Sequence, residues 1–163
     1  MGTLTGRTST MTTSRDREIH IERIFDAPRD CVWRATIEPE LVAQWWGRGH
    51  ELDVEALEVE PAGRWRFVEH APDGNVSGFQ GTYSEVDPPE RQVQTFEFDG
   101  MPGHISVQTA TFQDLEDGRT RLMVDVTFDS KEDRDGMMAS GMKGGMDQSY
   151  EALDKLLADL CEE

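Results

Sequence analysis

From residue 17 onward, apolar and polar positions alternate along most of the chain, and the period changes in only two places. In residues 17–25, Ile19, Ile21 and Phe25 fall on one side while His20, Glu22 and Ile24 fall on the other, which predicts a half-buried strand. Residues 29–37 and 40–46 lose that alternation. Pro28 and Pro39 stand where a first helical turn begins, the position at which a missing N–H costs least. Two short helices are predicted there, the second stopped by Gly47. Six strand-like segments follow, at residues 50–60, 64–71, 76–86, 91–98, 104–115 and 119–128. Turn chemistry separates them, most plainly at Pro72-Asp73-Gly74-Asn75 and at Glu116-Asp117-Gly118. Short strands at even spacing predict one curved antiparallel sheet.

The chain then turns helical. Ser130 suits an N-cap, with Asp133 three residues on as a capping-box partner. Met138, Met142, Met146, Leu153, Leu156, Leu157 and Leu160 share one broad face at the 3.6-residue period. Gly136, Gly141, Gly144 and Gly145 interrupt it, and each costs about 1 kcal/mol relative to alanine in a helix interior. A kink near Gly141 and one long helix to about Leu160 are expected. The order of strand, two helices, six strands and long helix predicts an α+β helix-grip fold. In it a curved antiparallel sheet of about seven strands wraps the C-terminal helix.

The 163 residues suffice for one domain with a real core, taken as residues 17–163. Residues 1–16, rich in Ser, Thr and Gly, are expected to be a disordered tail, with Met11 as an alternative start. They carry no apolar segment of secretory type, and no 18-residue apolar run occurs anywhere, so a cytoplasmic protein is expected. The net charge of −17 disfavours nucleic acid and anionic membranes as partners. Only three of the sixteen basic residues are lysine, and the acidic surface reads as a solvated one that aids solubility. Cys31 and Cys161 match no metal or redox spacing. Two separate thiols are expected in preference to a bridge between the first helix and the chain end.

Five blocks carry a family resemblance. They are residues 27–35 (APRDCVWRA), Pro39-Glu40-Leu41 with Trp45-Trp46-Gly47, and Gly81-Thr82-Tyr83 with Val86-Asp87-Pro88-Pro89-Glu90-Arg91. Gly118-Arg119-Thr120-Arg121-Leu122 and Gly141-Met142-Lys143-Gly144-Gly145 complete the set. In this order they resemble the START-like ligand-binding superfamily, in its branch related to the activator of the Hsp90 ATPase, over about residues 17–161. The resemblance implies a grip-shaped fold with a cavity. It does not name a ligand, since one fold hosts many functions.

The aromatic and methionine positions suit such a cavity. Alternation groups Trp65 with Phe67, Phe79 with Tyr83, and Phe96 with Phe98, while the last helix adds Met138, Met142, Met146 and Tyr150. The expected lining is Trp45, Trp65, Phe67, Phe79, Tyr83, Phe96 and Met142, with His104 and Tyr150 as polar anchors. The acid–base candidates on strands are Glu69, Glu97 and Asp125. Glu97 opposes Phe96 and Phe98, and Asp125 opposes Val124 and Val126, so both are expected to face solvent. His70 points away from its neighbour Glu69, so the two make no dyad. A chemically quiet pocket is expected, with no catalytic residue.

The four histidines form no metal-ligand spacing, and neither a metal nor a cofactor is expected. No nucleophile elbow, phosphate loop, dinucleotide fingerprint or Cys-x-x-Cys motif occurs. The favoured function is non-catalytic binding of a small hydrophobic molecule, lipid-like or aromatic, by a monomer or homodimer. An Hsp90-type co-chaperone or protein-interaction module is one alternative, implied by the resemblance. The resemblance also implies a cyclase- or lyase-like enzyme using the same cavity, since the wider superfamily includes such enzymes.

Overall fold

The computed structural model describes residues 10–13, 15–48 and 50–161. β2 (Glu18–Phe25) leads into α1 (Arg29–Ile37) and α2 (Pro39–Trp45). Six strands follow: β3 (Glu51–Leu57), β4 (Arg64–His70), β5 (Val76–Asp87), β6 (Arg91–Phe98), β7 (Ile105–Asp114) and β8 (Thr120–Thr127). The chain ends in α3 (Lys131–Ala139) and α4 (Met142–Leu160). Pro39 opens α2, and the Ser130 hydroxyl accepts the Asp133 N–H to cap α3, as their positions in the sequence predict.

All strands join one antiparallel sheet in the order β1-β2-β8-β7-β6-β5-β4-β3, where β1 is Thr10–Thr12. That edge strand corrects the expectation of a disordered tail for residues 10–12, whose backbone pairs with residues 20–22 of β2. Residues 1–9 and 14 lie outside the described residues. The long step from β2 to β8 brings the two ends of the sheet's sequence together, with Ile19 opposite Val126 and Phe25 opposite Thr120.

Alternation sorts the side chains as polar–apolar period requires. Ile19, Ile21, Arg23 and Phe25 of β2 are buried, and so are Trp65, Phe67 and Glu69 of β4. Two bulges adjust the register, between Val54 and Ala56 of β3 and between Tyr83 and Glu85 of β5. The second lets Tyr83 and Val86, three residues apart, both sit on the inner face opposite Gln94 and Gln92.

The interior divides into two clusters. The first packs Phe25, Val32, Trp33, Phe112, Leu122, Val126, Tyr150, Leu153 and Leu157 between the β2–β8–β7 side of the sheet and helices α1 and α4. The second gathers Val42, Leu52, Trp65, Phe67 and Tyr83 under the β3–β6 side. Trp46 and Val86 touch both. Within the first cluster Arg23, 3% exposed, pairs with Asp154 of α4 at 2.6 Å. Its guanidinium also lies 5.5 Å from the ring centroids of both Phe25 and Tyr150.

The helical break falls at Gly141, whose φ of 85° is the left-handed conformation that favours glycine. The break resets the helical phase. Met137, not Met138, therefore packs against the core, and Met138 is 40% exposed. Cys31 of α1 and Cys161 at the end of α4 are joined as a disulfide, with Cα atoms 6.3 Å apart. This corrects the expectation of separate thiols, which a separation of 130 residues gave no means to overturn. Among the described residues, no helix is long and apolar enough to cross a membrane.

Candidate functional site

The inner face of β4, β5 and β6 carries a continuous aromatic floor. Phe67 pairs in register with Phe79, and Phe79 with Phe98, so the three side chains cross the sheet in one row. The Phe79 and Phe98 rings stack with centroids 5.3 Å apart, and Phe96 lies 5.6 Å from Phe79 and 5.9 Å from Trp65. Trp46 leaves α2 in extended backbone and directs its ring onto this floor. It meets Phe67, Phe79 and Trp65 edge-on, at 4.9, 5.1 and 6.1 Å.

Trp65, Phe67 and Tyr83 are buried, whereas Trp46, Phe79, Phe96 and Phe98 are only half-buried although they face inward. Gly81 lets the floor close tightly. The Trp65 indole N–H donates to the Thr95 carbonyl at 3.1 Å, and a Cβ at Gly81 would run into both groups. Beyond the aromatics, the inner face turns polar at Gln92 and Gln94 of β6 and at Ser106 and Gln108 of β7.

Five of the sequence-predicted residues meet here: Trp65, Phe67, Phe79, Tyr83 and Phe96. The other four lie elsewhere. Trp45 stands in the first cluster, where its indole N–H donates to the Ala35 carbonyl at 2.8 Å. Tyr150 stacks on Trp45 at 6.3 Å and packs edge-on to Phe25 at 5.5 Å. Burial pushes its phenol up to about 12, so it stays neutral. Met142 packs half-buried on the same first cluster. His104 is on the rim, where its Nδ1 bonds the Asp133 carboxylate at 2.8 Å and links the β6–β7 turn to α3.

Trp46, which is not among the expected lining residues, takes the place given to Trp45. Adjacent residues on a helix diverge by about 100°, which says that one of the pair leaves the core face but not which.

The floor has a charged end. Glu69 is the next inward residue after Phe67 on β4, and its side chain is 5% exposed. Its Oε2 accepts bonds from Arg48 Nε at 2.9 Å, Arg48 Nη2 at 2.7 Å and the His50 ring at 2.7 Å. This corrects the expectation of a chemically quiet pocket. The missed signal is the alternation itself, which puts residue 69 on the face of residues 65 and 67.

Arg48 is held from several sides. Its backbone N–H donates to the Ser149 hydroxyl at 2.7 Å, and its stem lies against Gly145, where a Cβ would stand 3.3 Å from it. Its φ of 64° is in the left-handed region, uncommon for a residue with a side chain. Arg48, His50 and Ser77 border a groove of about 400 Å³ that ends at the β4–β5 hairpin. A second groove of about 520 Å³ lies away from the floor, beside Arg29, Glu90 and Phe112. Among the described residues, no group of three or more His, Cys, Asp or Glu is placed to hold a metal ion.

The fold and part of the sequence are shared with known proteins. The family profile described as Activator of Hsp90 ATPase homolog 1-like protein matches residues 26–158. A crystal structure of a Rhodobacter sphaeroides protein is 27% identical, with a TM-score of 0.84 over 93% of this chain and 99% of that one. A solution structure of an Arthrobacter aurescens protein, 23% identical, superposes with a TM-score of 0.83 over 92% and 91% of the two chains and is similar in fold. A crystal structure of a Chromobacterium violaceum protein is 26% identical, with a TM-score of 0.76 over 88% and 98%. No curated protein matches the chain.

Proposed function

The chain belongs to the family of Activator of Hsp90 ATPase homolog 1-like proteins, and we propose that within it this member binds a small hydrophobic molecule in the grip. The reading rests on one observation: four inward-facing rings, Trp46, Phe79, Phe96 and Phe98, are in mutual or shared contact yet only half-covered. A closed core buries such rings, whereas a small-molecule site leaves an apolar wall with a few polar groups at its edge. Here the polar edge is Gln94 and Gln108 on one side and Glu69 with its partners on the other. The lining set proposed is Trp46, Trp65, Phe67, Phe79, Phe96 and Phe98.

The energetics suit a carrier or sensor. An apolar ligand burying ten carbons gains roughly 8 kcal/mol at about 0.8 kcal/mol per methylene. Ordering and association costs then bring the affinity to about micromolar. The test is a titration of the purified chain with an environment-sensitive apolar fluorophore, followed by displacement with fatty acids and flat aromatics. Saturable one-site binding with selective displacement is expected. A fluorophore that finds no site in the folded chain overturns the reading and moves a protein-partner role to the front.

A further inference from the structure

We propose that the groove beside Arg48 and His50 is the head-group site of the grip, and that the ligand it takes is an apolar body carrying one carboxylate. The inference rests on the hydrophobic-ligand reading and adds the ligand's charge and orientation. The arrangement is layered. Glu69 lies underneath, 5% exposed, while Arg48 and His50 lie above it with side chains 41% and 24% exposed. The buried carboxylate therefore fixes two donors and leaves their outer faces toward the groove.

A guanidinium engaged through Nε and Nη2 still carries N–H groups on its other edge. The His50 ring is bonded to Glu69 through Nδ1 and borders the groove beside Arg48, and Ser77 adds a hydroxyl to the same wall. Arg48 is also held against drift by its backbone bond to Ser149 and by the space at Gly145. A pre-oriented, half-exposed guanidinium with one open edge is what a single carboxylate recognises.

Charge and distance narrow the class further. Asp73 borders the groove, but its two oxygens accept the backbone and side-chain N–H groups of Asn75, at 2.9 and 3.1 Å. With Glu69 and Asp73 already negative, a singly charged head suits the groove better than a doubly charged phosphate. Glu69 and Ser77 pair in register, and the next inward residues are Phe67 and Phe79, about 7 Å along the strands. A carboxylate at Arg48 thus places the first carbons of its chain at the edge of the aromatic floor.

The experiment compares decanoate with decanol as displacers of the fluorophore at 150 mM salt, where the −17 net charge is screened beyond about 8 Å. The wild-type chain is expected to prefer decanoate by about tenfold. Arg48→Gln should bring the ratio to about one, and Glu69→Gln should raise it several-fold by freeing the second edge of the guanidinium. If Arg48→Gln alone fails to fold, the neutral pair Arg48→Gln/Glu69→Gln is read in its place, again with a ratio near one expected. Equal binding of both compounds, with a ratio indifferent to these changes, overturns the head-group site and leaves the hydrophobic site standing. If the fluorophore binds but neither compound displaces it, the head-group site is overturned while the hydrophobic site stands. If the fluorophore finds no site, both readings fall together.

Discussion

The ring of Trp46 stands edge-on to Phe79, with centroids 5.1 Å apart and planes at 66°. This contact joins the end of the second helix to the inner face of β5, and both rings remain half-open. Trp46→Ala removes the roof of the aromatic floor. Fluorophore affinity is expected to fall at least tenfold, with a stability loss of about 2–3 kcal/mol, below that of a fully buried tryptophan. Titration and urea unfolding of the same preparation separate the two effects. Unchanged affinity places the ligand elsewhere.

The Arg23–Asp154 pair ties β2 to α4 inside the first cluster, with the arginine side chain 2% exposed. Removing the arginine takes away the partner that Asp154 holds at 2.6 Å. Arg23→Met is therefore expected to cost about 3–5 kcal/mol, and the double change with Asp154→Leu much less. A double-mutant cycle in urea measures the coupling. Additive losses would mean that the two charges do not depend on each other.

On the outer face, His20 bonds Asp125 at 2.6 Å and Glu22 at 2.8 Å. The hydrogen bond to Asp125, then that to Glu22, raises its pKa above 6.5 against the opposing effect of burial. The folded state therefore holds this proton more tightly than the unfolded chain does. The resulting stabilisation is fully present below pH 6.5 and is lost as pH rises through the higher folded value. Urea midpoints measured across this range should fall with rising pH, and His20→Gln should flatten that fall. A wild-type slope that survives the substitution assigns the effect to another group.

Two glycines are expected to respond oppositely to alanine. At Gly81 a Cβ meets the Thr95 carbonyl and the Trp65 indole, so Gly81→Ala should cost about 3 kcal/mol. At Gly144, in the first turn of α4, a Cβ meets nothing within 4 Å, and Gly144→Ala should gain about 0.5–1 kcal/mol. Thermal melts of the two variants check both signs at once.

Most of the fold was legible because alternation and turn chemistry are local. The strands from residue 51 to 127, the prolines that open the helical turns and the break at Gly141 all follow from neighbours in sequence. What escaped depended on contacts between distant residues. Thr10-Met11-Thr12 is too short for its alternation to mark a strand, and it pairs because β2 offers an open edge. The Cys31–Cys161 bridge has no local signature. Trp45 and Trp46 differ in role because the backbone turns from helix to extended between them.

Glu69 and Arg23 are a different case. Their spacing placed them inside, against the usual cost of a buried charge, and their partners Arg48, His50 and Asp154 are remote in sequence.

The most direct test of the grip as a ligand site uses the four tryptophans as reporters. Indole N–H resonances are followed as decanoate is titrated into the ¹⁵N-labelled chain. Trp46 and Trp65 on the aromatic floor should shift together and saturate, while Trp33, packed against Phe112 in the other cluster, should stay in place. Shifts of Trp33 alone, or no shift at any of the four, would contradict a ligand held on that floor.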